Sequence, residues 1–180
     1  MSKKIAILRG INVGGKRKIL MADLKLLFQN LGFSNISSYI QSGNVIFIDD
    51  NGLNDLDIAK QIEHAITAKY KFDVPVIIRS SKEIAKAVKK NSFYKKNAED
   101  ISQLHLTFLN EKPTKENLTK IESYNYEPDK FVIIGKEVFI FCAGKYHQSK
   151  LTNNFFEKKL KVSATTRNWK TVLKLVELSA

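Results

Sequence analysis

Cysteine is almost missing from this 180-residue chain. Cys142 stands alone, which excludes an internal disulfide framework and any multi-cysteine metal site. It alternates with Phe141 and Ala143 like an ordinary strand residue and reads as core. Arginine is also scarce, at Arg9, Arg17, Arg79 and Arg167 only, so the net charge of +12 is carried by lysines spread from one end to the other. Such a charge attracts nucleic acid, anionic lipid or an acidic substrate. A dedicated nucleic-acid face, however, clusters its charge and favours arginine. Long apolar runs are absent too. Ile5–Leu8 and Val138–Ala143 fall far short of the roughly 18 residues that span a bilayer. The basic start Met1-Ser2-Lys3-Lys4 leads into an apolar segment that stops at Arg9 without a small-residue cleavage pattern. A cytoplasmic protein with no membrane partner is expected. No His/Cys/Asp spacing suggests a metal, and no cofactor is expected.

What the chain does have is 43% apolar residues, enough for one large core or two small ones. They fall into a repeated order. Lys4–Leu8 reads as a buried strand and Arg9–Leu20 as a glycine-rich loop. Met21–Leu31 is a helix, with Met21, Leu24, Leu27, Phe28 and Leu31 on one face and Gly32 as its stop. Ile36–Gln41 and Asn44–Ile48 form a hairpin around Ser42-Gly43. A helix at Leu56–Tyr70 and a strand at Val74–Ile78 complete a β-α-β-β-α-β unit over residues 1–80.

The lysine-rich segment 81–102, with a helix expected at Lys82–Lys90, connects to a second unit over 103–180. There the strands are Leu104–Leu109, Lys130–Ile134, Glu137–Ala143 and Val162–Thr165. The helices are Thr114–Tyr124, Leu151–Leu160 and a terminal Asn168–Leu178. The halves are not visibly alike in sequence, so the duplication is one of element order. The expected architecture is α+β, two consecutive ferredoxin-like units with a C-terminal helix. The short Val162–Thr165 strand is the element most open to exchange between the halves.

Right-handed crossovers place the loop after the first strand and the hairpin between the second and third at the same end of a sheet. This brings Arg9, Asn12, Gly14, Gly15 and Lys16 toward Gln41, Ser42 and Asn44. In the second unit the same rule brings Ser149 and Lys150 toward Arg167 and Asn168, where a helix start favours an anion. These segments also carry a resemblance. Leu8-Arg9-Gly10-Ile11-Asn12-Val13-Gly14-Gly15-Lys16, Tyr39-Ile40-Gln41-Ser42-Gly43-Asn44-Val45, Ser149-Lys150-Leu151 and Ala164-Thr165-Thr166-Arg167-Asn168-Trp169-Lys170-Thr171-Val172 look like the marker segments of the bacterial domain-of-unknown-function family 1697 (DUF1697), in that family's order and across nearly the whole chain. The resemblance implies two ferredoxin-like subdomains and a bacterial cytosolic protein, and it implies no reaction. Arg17-Lys18 departs from it, where a less charged residue is common, as does Leu20, where proline often stands.

Gly10, four residues, then Gly15-Lys16 reproduce most of a phosphate-binding Walker A loop. Arg17 replaces the hydroxyl residue that would hold Mg²⁺ and the helix begins late, which excludes a nucleoside triphosphatase. A looser anion nest at Gly14-Gly15 stays open beside plain turn glycines. His64 and His105 read as surface positions, and His147 alone sits in one of the converging loops. Phe139 and Phe141 read as core packed on Phe155 and Phe156.

Three functions follow. The leading one is a module that binds an anionic, phosphate-bearing ligand, a nucleotide or nucleic acid included, at the glycine-rich loops between the two units. The alternatives are an enzyme of undefined reaction on a small anionic substrate, and a protein-interaction module without a small ligand. Neither the reaction nor the oligomeric state follows from the sequence.

Overall fold

The structure, a computed structural model, describes residues 3–95 and 101–180. Met1-Ser2, ahead of the two lysines of the basic start, and residues 96–100 of the expected connection lie outside the described residues. The chain is α+β and contains two four-stranded antiparallel sheets. Its contacts divide it into two compact units, one of Met1–Ala85 with Leu175–Ala180 and one of Lys86–Lys174.

In the first unit the strands are β1 (Lys4–Leu8), β2 (Ser34–Tyr39), β3 (Asn44–Ile48) and β4 (Val76–Ser80), in the order β2-β3-β1-β4. This is the ferredoxin-like order, with the first and third strands central. Helices α1 (Met21–Asn30) and α2 (Asp55–Tyr70) cover one face. Alternation decides which side chains meet them. Ala6, Leu8, Val45, Phe47, Val76 and Ile78 pack with Leu24, Phe28, Ile58 and Ile62 in one buried cluster. Phe28, Phe33 and Phe47 interlock with ring centroids 4.7–5.8 Å apart. Asn54 caps α2 by accepting a hydrogen bond from the Asp57 N–H.

The second unit repeats the plan with β5 (Leu104–Leu109), β6 (Lys130–Ile134), β7 (Glu137–Phe141) and β8 (Ala164–Asn168), in the order β6-β7-β5-β8. Helices α4 (Lys115–Glu122) and α5 (Asn153–Leu160) carry Ile121, Phe156 and Leu160 into a cluster with Val138, Ile140 and Ala164. The last strand pairs with β5 of its own sheet, so no exchange between the halves occurs at β8. Phe155 and Phe156 pack with Tyr126 and Phe131 on the helix side. Phe139 and Phe141 point to the opposite face, where Phe141 meets Phe93, which corrects the expected packing.

Each last strand runs straight into a helix: β4 into α3 (Ser81–Lys90), and β8 into α6 (Trp169–Ser179). The joint residue caps the helix in both cases. The Glu83 N–H donates to Ser80 Oγ at 3.2 Å, and the Glu83 carboxylate accepts from the Ser80 N–H at 2.8 Å, a reciprocal capping box. The Thr171 N–H donates to Asn168 Oδ1 at 2.8 Å. The repeat is therefore β-α-β-β-α-β-α, and α3 is the counterpart of α6.

Candidate functional site

The segment after β1 turns out to be a small β-hairpin rather than a phosphate loop. Val13 and Lys16 form a bridge, closed by the Lys16 N–H to the Val13 carbonyl at 3.1 Å and by Asn12 N–H to Arg17 O at 3.2 Å. Gly14 and Gly15 are its two central residues with φ of 57° and 74°, the positive pair that marks a type I′ turn. A Cβ on either would meet nothing within 4 Å. Glycine is needed there for backbone conformation, and the turn projects into open space. With the Lys16 N–H tied back to Val13, the turn is not the inward-facing N–H cradle of a Walker loop.

The base of this hairpin is fixed by Asn12. Its side chain donates to the carbonyls of Ile19 at 2.9 Å and Gln41 at 2.8 Å, and accepts from the Ile19 N–H at 2.9 Å. Ile11 and Ile19 are buried beneath it. The Leu8 N–H donates to the Gly43 carbonyl at 2.8 Å. Gly43 (φ 83°) lies so close that an added Cβ would come within 2.7 Å of Leu8 Cβ and 2.9 Å of Ile11 Cδ1. The glycine hairpin and the Gln41–Asn44 turn are thus one assembly.

Asn44 is fully buried, with its amide on Tyr39 O and Ser42 Oγ. Asn12 and Asn44 are accordingly structural clamps, whereas Gly14, Gly15, Lys16 and Gln41 are exposed. Arg9 is half-buried, and its N–H donates to Pro75 O at 3.0 Å.

Beside the hairpin lies a pocket of about 350 Å³ lined by Gly15, Lys18, Leu20, Met21 and Gln41 together with Asn12 and Ile19. Leu20 and Met21 are the start of α1, and Leu20 offers no side-chain cap to the first N–H groups of that helix. Helix starts carry partial positive charge. Neither residues 1–22 nor residues 33–48 contain an aspartate or glutamate; the first segment is charged by lysine and arginine alone, and the second carries no charged side chain. Lys18, Leu20 and Met21 escaped the sequence reading. Their signal was the missing cap before α1 next to a basic triplet.

In the second unit, Ser149 donates to Asp129 Oδ2 at 2.6 Å and accepts from the Leu151 N–H, so it fixes the loop after β7. Burial pushes the Cys142 thiol up, against the weaker opposing pull of its hydrogen bond with Ser149. Lys150 is exposed and Asn168 is the α6 cap. Arg167 was expected at a helix start. It lies instead in β8, opposite Leu106, with 9% of its surface exposed and one guanidinium N–H on the Thr166 carbonyl at 3.0 Å. Burial lowers its pKa to about 10, which leaves it charged at neutral pH. Arg79 holds the same position in β4, buried, opposite Ile5 and bonded to the carbonyl of Ile78. His105 is buried as well, contrary to the surface reading, and stacks on Tyr146 at 4.4 Å. His64 and His147 are exposed. Among the described residues no group of three His, Cys, Asp or Glu side chains is placed to hold a metal, and no helix is long and apolar enough to cross a membrane.

A model of a protein family of unknown function, DUF1697, matches residues 1–139. The chain belongs to the DUF1697 family. The match covers the glycine hairpin and the Gln41–Asn44 turn and ends before Ser149 and the β8–α6 joint. A conserved bacterial protein from Streptococcus pneumoniae has a similar solved structure, with a TM-score of 0.73 and 22% identity over 99% of each chain. That likeness shows this DUF1697 member's fold. No curated protein matches the chain at a significant level.

Proposed function

We propose that this DUF1697 protein binds a phosphate-bearing ligand in the pocket between the glycine hairpin and the start of α1. One observation carries the reading: the uncapped N-terminus of α1 opens onto a pocket edged by Lys18, beside exposed Lys16 and Arg17, in a stretch free of acidic residues. An anion there meets a helix dipole, unsatisfied N–H groups and lysine together. Leu20 and Met21 supply an apolar wall against which a sugar or base can lie. Asp23 in the first turn of α1 is the nearest acid in sequence and works against the site. Gly14-Gly15 displays the cations, Asn12 ties the hairpin base to the Gln41 backbone, and Gln41 closes the pocket.

The exposed apolar side chains Val13 (63%), Leu20 (72%) and Ile40 (47%) favour a second reading, a protein partner on the same surface. Titration of wild type, Lys16→Ala and Lys18→Ala with ATP and inorganic polyphosphate separates the two. Each substitution is expected to weaken binding about 10-fold at low salt, the scale of one charge-assisted contact, and by less at high salt. Equal, salt-insensitive binding by all three proteins would oppose the ligand reading. Affinity from the scattered lysines would survive both single changes.

A further inference from the structure

The second unit carries a larger groove, of about 530 Å³, lined by Lys130–Ile133 of β6 and by Glu122, Tyr124 and Glu127 of the segment before it. It lies along a sheet edge. In the order β6-β7-β5-β8, no other strand among the described residues pairs with the outer side of β6.

Edge strands offer unpaired N–H and C=O groups, and most are blunted by polarity or irregular geometry. The equivalent edge of the first unit shows that protection. The strand β2 reads Ser-Asn-Ile-Ser-Ser-Tyr, has a register shift between Ser34 and Ser37, and places Asn35 at a φ of 50°. By contrast β6 reads Lys-Phe-Val-Ile-Ile and stays in unbroken register with β7 from Lys130 to Ile134. Only Lys130, at its start, is charged, and Val132 is exposed.

The charge of the groove decides what fits. In a chain of net +12, its wall carries exposed Glu122 and Glu127, and Asp129 adds a third carboxylate that also accepts from the Ala143 N–H and Ser149 Oγ. The Lys159 ammonium already lies 3.8 Å from the centre of the Tyr124 ring, and together with Lys130 it offsets part of this acidic charge, so the free anionic contacts are Glu122 and Glu127.

We propose that the second unit binds an extended, basic peptide segment of another protein as a fifth strand on the outer edge of β6. The peptide backbone pairs with β6, and its alternate lysine or arginine side chains reach Glu122 and Glu127. A five-residue strand is about 17 Å long, so four to six peptide residues fill the edge.

The test uses the whole protein and an alternating Lys-Val octapeptide. Its controls are the same peptide N-methylated at alternate backbone nitrogens, a Glu-Val octapeptide and spermidine. Binding of the Lys-Val peptide is expected to slow hydrogen exchange of β6 amides. Backbone N-methylation and the surface change Glu122→Lys/Glu127→Lys should each weaken binding at least 10-fold, and the Glu-Val peptide should not bind. The proposal is overturned if the N-methylated peptide or spermidine binds as well as the Lys-Val peptide, since charge alone would then suffice. It is equally overturned if the Lys-Val peptide does not bind, or if β6 amides become protected with rising protein concentration and no peptide, which would make a second copy of this chain the occupant.

Discussion

Individual side chains here are governed by what burial does to charge. His105 sits opposite Ile140 and Asn168 and stacks on Tyr146. Burial lowers its pKa below the ordinary 6.5, outweighing the hydrogen bond with the Gln103 backbone that raises it. The unfolded chain therefore takes up a proton at His105 before the folded one does. The contribution of the neutral ring to stability is complete above pH 6.5 and is lost as pH falls from 6.5 toward the lowered folded value. Urea unfolding at pH 7.5 and pH 5.5 should show a loss in wild type that is smaller in His105→Phe, which keeps the stack and cannot titrate. An identical loss in both proteins would contradict this assignment. Arg167 illustrates the same rule for a group that keeps its charge, since burial lowers its pKa only to about 10. Its guanidinium and that of Arg79 each donate a hydrogen bond to the carbonyl of the residue before.

At the scale of elements, the two glycine segments differ in kind. Gly14 has a positive φ and open surroundings, whereas Gly43 has a positive φ and backs directly onto Leu8 and Ile11. Gly14→Ala should cost about 1–2 kcal/mol, the strain of an alanine in the left-handed region. Gly43→Ala adds overpacking and should cost about 3 kcal/mol or more. Thermal melts of the two variants test the order, and equal melting temperatures would contradict it.

Strands β3, β5 and β6 were legible as short apolar, β-rich runs, β3 and β5 being buried on both faces, and most helix faces were legible from helical spacing. The ends of β4 and β8 were not. Thr166-Arg167-Asn168 has the polarity of a helix start, and only pairing with β5, including the 2.7 Å hydroxyl contact of Thr166 with Thr107, makes it strand. The α3 counterpart of α6 was half-hidden for a related reason, since its lysine-rich surface reads as connection while Ile84 and Ala87 are buried. At the candidate site, the convergence of hairpin and turn followed from topology. The roles of Asn12 and Asn44 did not, because the same amide that binds a ligand also clamps a backbone, and only coordinates tell which carbonyls lie within reach.

For the whole molecule, the charge of +12 gives a general attraction for polyanions that any one site must stand out against. A local site and a diffuse cation field differ in where the ligand leaves its mark. The most direct measurement is the change in backbone amide resonances of the isotopically labelled full chain on titration with ATP at moderate salt. A local site gives saturable shifts concentrated at Gly15, Lys18–Ala22 and Gln41, with the first amides of α1 moving most as an anion joins the uncapped helix start. Weak, unsaturating shifts scattered over lysines throughout both units, with the start of α1 unmoved, would contradict it.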